Sequence, residues 1–280
     1  MLINSKELLV AAKHERLAVP HFNINNLENI KWLLEVAEEE KYPIIIGVSE
    51  GAIKYLGSVK VVASTVKALM AALKTTQDVV LHLDHGSSFE ICKDAIDSGF
   101  TSVMYDGSKL PIDENIKNTI QVIDYAITKN VSVEGELGYL GTTSDKISYT
   151  KVEDALYYLK NAKVNSLAVA IGNAHGIYKE KPELQFDLLK ELSDKCNIPL
   201  VLHGGSGISD EDFTKAIDNG ICKININTEL QLTWSNAVRK FLNENESVYD
   251  PRKIIASGEK EFKEMAKRYI KIFQNKKNYR

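Results

Sequence analysis

Several things are scarce or missing in this 280-residue chain, and each absence narrows what the protein can be. Cysteine is sparse. Cys92, Cys196 and Cys222 lie far apart, form no CxxC pair and make an odd set, so each reads as buried apolar filler, not as part of a disulfide framework. Neither charge is in marked excess. Thirty-five Lys and Arg against 38 Asp and Glu leave a net charge of −3. No basic stripe interleaves with aromatics, so neither nucleic acid nor a membrane is expected as a partner. No apolar run reaches membrane-spanning length. The opening MLINSKELLVAAKHERLAV has the pattern of an amphipathic helix, broken by Lys6, Glu7, Lys13, His14, Glu15 and Arg16. It has no signal core, and the cytoplasm is the expected compartment. Glycine and proline nowhere gather into a linker, so a single domain over residues 1–280 is expected.

What the chain does have is a period. Short apolar runs recur at residues 17–24, 42–48, 79–84, 101–106, 131–137, 166–171, 198–203 and 221–226. Helix-spaced segments separate them. Leu27, Ile30, Leu33, Leu34 and Ala37 share one face, as do Ile116, Ile120, Ile123 and Ile127, and later Leu230, Trp234, Val238 and Phe241. Eight strand–helix units, each about 30 residues long, predict an α/β fold of the (β/α)₈ TIM-barrel type. The stretch NESVYDPRKIIASGEK and a last helix over 259–273 follow as a C-terminal helical extension. A doubly wound open sheet fits less well, because the count is eight and no GxGxxG follows the first strand.

Catalytic groups of such barrels come from the carboxyl ends of the strands. Strand 3 ends in Asp84-His85, strand 4 in Asp106-Gly107-Ser108, strand 6 in GNAHG with His175, and strand 7 in LHGGSG with His203. Three of the six histidines thus meet on one rim, and three protein ligands with an open position is the pattern of catalytic zinc. His82, on the same face as Asp84, reads as a supporting or packed residue; His14 and His21 read as structural or surface residues. Glu134 and Glu136 share a face of strand 5. They form either a salt-bridged barrel layer or, through Glu136 with Asp106, a second cation position. HGGSG and NINT follow strands 7 and 8, where barrels of this type hold phosphate on glycine amides and helix starts.

Taken together, LHLDHG, SVMYDGS, VEGELG, GNAHGIY, VLHGGSG, KININTE and YDPRK resemble the class II, metal-dependent fructose-bisphosphate aldolase family, which includes tagatose-bisphosphate aldolases. The resemblance runs from VPHFNINN to YDPRK, and its seven motifs occur in order. It implies Zn²⁺ held by His85, His175 and His203, with Asp106 and Glu136 at accessory metal positions. It implies Asp84 as the proton donor to the aldehyde oxygen. Gly176, Gly204, Gly205, Ser206, Asn225, Ile226, Asn227 and Thr228 match contacts to dihydroxyacetone phosphate, Ser49 a substrate contact, and Arg252 the arginine that meets the far phosphate. The expected partners are small phosphorylated sugars and further copies of the chain, as a homodimer or homotetramer.

One stretch departs from the family pattern. After ELG the family carries a longer loop with GGQED or GGEED, whose glutamate removes the substrate proton. Here GYLGTTSDKISYT is shorter, with Thr143 and Ser144 where the acidic pair would be, and Asp145 is the nearby carboxylate that could serve. Fructose 1,6-bisphosphate is the expected substrate. The competing readings are a tagatose-bisphosphate or other ketose-phosphate aldolase, a zinc-water hydrolase barrel, and a barrel that binds metal and phosphate but turns over poorly. A Schiff-base aldolase would need a strand lysine; strand 6 has none, and Lys223 on strand 8 has no further support.

Overall fold

The computed structural model describes residues 1–138, 148–178 and 181–275. Its eight parallel strands are β1 (Val19–Asn23), β2 (Ile44–Ser49), β3 (Val79–Gly86), β4 (Ser102–Tyr105), β5 (Ser132–Leu137), β6 (Ser166–Val169), β7 (Leu200–Leu202) and β8 (Ile221–Ile226). They pair in chain order and close on themselves, β8 against β1. The predicted eightfold repeat is therefore present. Most strands are shorter than the apolar runs, though β3 runs on to Gly86 and β8 matches its run; β7 stops at Leu202, so His203 stands just past the last ladder residue.

Among the described residues, twelve helices pack around and beneath the barrel: α1 (Lys6–Glu15), α2 (Leu27–Glu40), α3 (Glu50–Leu56), α4 (Val59–Leu73), α5 (Phe89–Ser98), α6 (Ile112–Ile127), α7 (Val152–Asn161), α8 (Phe186–Cys196), α9 (Asp210–Asp218), α10 (Thr228–Glu244), α11 (Pro251–Ala256) and α12 (Glu259–Phe273). Asn26, Ser49, Ser58, Ser88 and Ser209 each accept a backbone N–H at a helix start. Capping of this kind is worth about 1 kcal/mol and fixes where the chain leaves each strand. Among the described residues, no single helix is long and apolar enough to cross a membrane.

Two helices do more than alternate with strands. Helix α1 sits beneath the barrel, where Leu9 and Ala12 pack with Val19, Ile45, Val80 and Cys222 to plug its amino-terminal end. Helix α12 packs on α2, α9, α10 and β1. Phe262, Ala266, Tyr269, Ile270 and Phe273 are buried there. The C-terminal helix is thus the wall segment that completes the ring between α9 and α2, more than an appendage. Lys263 pairs across this seam with Glu35 at 3.2 Å and Glu39 at 2.8 Å.

Strand register sorts the barrel interior into layers. Above the apolar plug lies a polar layer containing His21, His82, Glu134 and Lys223, all buried. Gly47 pairs with His82 and leaves the space that the His21 ring fills. Above that, at the carboxyl ends, lie Asn23, Asp84, Glu136, His203 and Asn225. Polarity thus increases toward the end where barrel enzymes do chemistry.

Candidate active site

A regular strand would send neighbouring side chains to opposite faces. Asp84 and His85 escape that rule. The ladder between β3 and β4 slips between Leu83 and Gly86, and His85 takes a left-handed backbone conformation with φ of 54°. Both residues then reach the rim, and the His85 Nε2–Asp84 Oδ1 separation is 4.0 Å. A histidine held with positive φ costs conformational energy, which the surroundings must offset.

Three imidazoles converge. Ring centroids of His85 and His203 are 4.8 Å apart, those of His85 and His175 5.1 Å, and those of His175 and His203 6.0 Å. One nitrogen from each ring lies within 4.8 Å of the others. His85 gives its Nδ1–H to Asp106 Oδ2 at 2.8 Å, and His203 gives its Nε2–H to Glu134 Oε1 at 2.9 Å. The remaining nitrogens, His85 Nε2 and His203 Nδ1, face each other at 3.1 Å. Two lone pairs that close need a proton or a cation between them. Glu136 adds a second sign of the same kind. Its Oε2 is buried with no hydrogen-bond partner, 3.8 Å from His85 Nδ1 and 3.7 Å from His203 Nδ1. His85, Asp106 and Glu136 form a further set with metal-ligand spacing. The donors therefore suit a divalent cation, with carboxylates fixing the ring orientations.

The charges follow the same geometry. Burial opposes the charged form of His85, but Asp84, Asp106 and Glu136 push its pKa up to about 10 in the metal-free protein. Burial, together with Asp106 and Glu134, pushes the Glu136 carboxyl up to about 8. Burial lowers His203. Burial works against the Asp84 carboxylate, yet the positive charges of His85 and Lys223 help hold it well below the usual range. Asn23 Nδ2 donates to Asp84 Oδ2 at 2.8 Å and Asn225 Nδ2 to Oδ1 at 3.3 Å. A carboxylate gripped on both oxygens is kept ionised and aimed.

The anticipated phosphate residues divide into two groups. Gly176, Ser206 and Thr228 line a cleft of about 550 Å³ beside the histidines, joined by Tyr178, Gly207, Ser209 and Glu229. Gly204 takes φ of 63° with Ala174 close behind it, a position with no room for a side chain. The Gly205 N–H is already committed to the Asn225 carbonyl at 2.9 Å. Ile226 is buried, and Asn227 and Thr228 start α10. Ser49 caps α3 and pairs with Asp84 in the ladder. Arg252 stands apart: its side chain is 89% exposed and held by Asp250 at 2.9 Å. Asp145 lies outside the described residues.

Sequence reasoning missed Asn23, although its place two residues after His21 on a period-two strand puts it on the inner face. It also left Tyr178 unremarked; that hydroxyl accepts from Ala174 N and donates to the Gly204 carbonyl, tying the His175 loop to the glycine loop. His82 bonds Ser102 at 2.8 Å and stacks edge-on against His21, so it is a packed interior residue.

A (β/α)₈ barrel that gathers imidazoles and carboxylates around one rim position has the architecture of a metal-dependent barrel enzyme. The family model described as fructose-bisphosphate aldolase class-II matches residues 3–278. A fructose-bisphosphate aldolase of Geobacillus stearothermophilus is 48% identical over 262 residues, 92% of this chain and 91% of that one. A fructose-bisphosphate aldolase of Staphylococcus aureus strain Mu50 is 45% identical over 277 residues, 97% of both chains. The crystal structure of the YdjI aldolase from Escherichia coli K12 superposes with a TM-score of 0.86 at 35% identity over 100% of both chains. The chain belongs to the class II fructose-bisphosphate aldolase family, whose members are metal-dependent lyases acting on phosphorylated sugars.

Proposed function

We propose that this chain reversibly cleaves fructose 1,6-bisphosphate to dihydroxyacetone phosphate and glyceraldehyde 3-phosphate, with Zn²⁺ held by His85, His175 and His203. The observation that carries the reading is the meeting of three ring nitrogens within 4.8 Å beside an ionised Asp84. A cation bound there supplies Lewis acidity toward the substrate carbonyl.

The chain's own residues divide the remaining work. Asp84, held by Asn23 and Asn225, takes the proton from the hydroxyl at the cleaved bond and returns it to the aldehyde oxygen in condensation. Its ionised form suits the first of these directions. The cleft containing Gly176, Ser206 and Thr228 takes the phosphate of the dihydroxyacetone half, with Gly204, Gly205 and the Asn225–Thr228 segment shaping it. Anchoring there holds the reacting carbons in line. Ser49 contacts substrate from the opposite wall, and Arg252 meets the far phosphate once it leaves Asp250. Asp106 and Glu136 offer a second cation position. Asp145 is the proposed loop base, and near-wild-type turnover by Asp145→Asn would remove it from that role.

The primary test is aldol cleavage of fructose 1,6-bisphosphate that is lost in EDTA and restored by Zn²⁺. Metal and phosphate binding without turnover on any ketose bisphosphate would refute it. Comparing kcat/KM for fructose and tagatose bisphosphates decides between the two epimers. We further propose one catalytic domain over residues 1–280, a homodimer or homotetramer checked by light scattering, and residence in the cytoplasm. All three cysteines are free, as is usual in a reducing compartment.

A further inference from the structure

Lys223 is a lysine with 1% exposure in the middle of the barrel, and the chemistry proposed above gives it no task. Both oxygens of Glu134 receive its ammonium, Oε1 at 2.9 Å and Oε2 at 2.8 Å. Ser166 Oγ also donates to Oε2, at 3.2 Å. Glu134 Oε1 in turn accepts from His203 Nε2 at 2.9 Å. The chain of contacts therefore runs from β8, across the barrel to β5, and back up to the end of β7. Its last member turns Nδ1 toward His85. A lysine so clamped cannot attack a carbonyl. A carboxylate so clamped can hold an imidazole in one orientation and one tautomer.

We propose that Lys223 is a positioning residue for the metal site. By fixing Glu134 it fixes the His203 ring, so that Nδ1, and not Nε2, is presented to a divalent cation. The inference rests on His203 being a ligand, as proposed above. It accounts for why the barrel keeps a buried ion pair, which costs desolvation free energy and is weak evidence for stability by itself. It also separates the two ligands of known orientation. The His85 ring is held by Asp106 at the partly exposed rim, the His203 ring by a carboxylate that is itself held from below. Outer partners of metal-bound histidines typically change affinity by 10- to 100-fold.

The test is zinc affinity measured by competition with a chromophoric chelator, which needs no turnover. Lys223→Met leaves the buried Glu134 carboxylate without its cation, and is expected to lower both thermal stability and affinity. The double variant Glu134→Gln with Lys223→Met removes both charges. It is expected to regain a cooperative thermal transition near that of the wild type while binding Zn²⁺ at least tenfold more weakly. Wild-type affinity in that folded double variant would overturn the proposal, since a purely structural pair would leave the metal Kd untouched. His203→Ala is measured alongside. If it binds Zn²⁺ as tightly as the wild type, the ligand assignment itself fails; if it loses affinity and the double variant does not, the positioning role alone fails.

Discussion

A methyl group added at Gly47 would sit 1.4 Å from His21 Nε2. His21 is fully buried, and burial together with nearby Lys223 pushes its pKa down to about 3, so it stays neutral and cannot move outward without dragging its layer. Gly47→Ala is expected to cost at least about 1–3 kcal/mol, read from chemical denaturation midpoints. Asp84→Asn keeps the shape and removes the carboxylate proposed as proton acceptor. Its kcat should fall about 10²- to 10⁴-fold with metal content unchanged, measured by cleavage kinetics beside elemental analysis. Glu136 gives a signed pH effect. Its pKa rises from 4.5 to about 8 on folding, so the metal-free folded state holds a proton that the unfolded chain has released. That contribution is full below pH 4.5 and is lost as pH climbs to about 8. In EDTA, the Tm of Glu136→Gln relative to the wild type should therefore climb between pH 5 and pH 8; a constant difference would contradict the raised pKa.

At the scale of elements, α12 shows how unequal its two kinds of contact are. Phe273 is fully buried against Phe213 and Tyr269, while Lys263 meets Glu35 and Glu39 near the surface. Phe273→Ala should cost about 3–5 kcal/mol. Lys263→Ala should cost about 1 kcal/mol or less, because these half-buried pairs still touch solvent, which screens them. Parallel urea titrations of the two variants check the contrast. Helix and strand placement was readable because short continuous apolar runs, buried on both faces as strands, alternate with segments of helical spacing, and the last helix falls where its pattern predicts, over Glu259–Phe273. Its role as ring-closing wall was not readable, since periodicity reports which face is apolar and says nothing of the partner that covers it.

For the whole molecule, the rim location of Asp84, His85, His175 and His203 could be anticipated because closing the barrel brings all strand ends to one side. The backbone slip that presents Asp84 and His85 together could not, because period-two reasoning assigns them opposite faces. Nor could the Lys223–Glu134–His203 contacts be foreseen, since they depend on cross-barrel distances that no local pattern encodes. A cation that binds the folded protein alone raises its stability by mass action, about 2.7 kcal/mol at one hundred times Kd. Adding Zn²⁺ to the EDTA-treated protein should therefore raise Tm in proportion to the logarithm of free metal, followed by calorimetry.

Because the φ of 54° at His85 lets consecutive residues both face the rim, the carboxylate proposed to move protons and the imidazole proposed to anchor the cation share one peptide unit. Neither can shift without carrying the other along. Accommodating a differently shaped sugar would then fall to other parts of the rim, while the Asp84–His85 pair stays as it is.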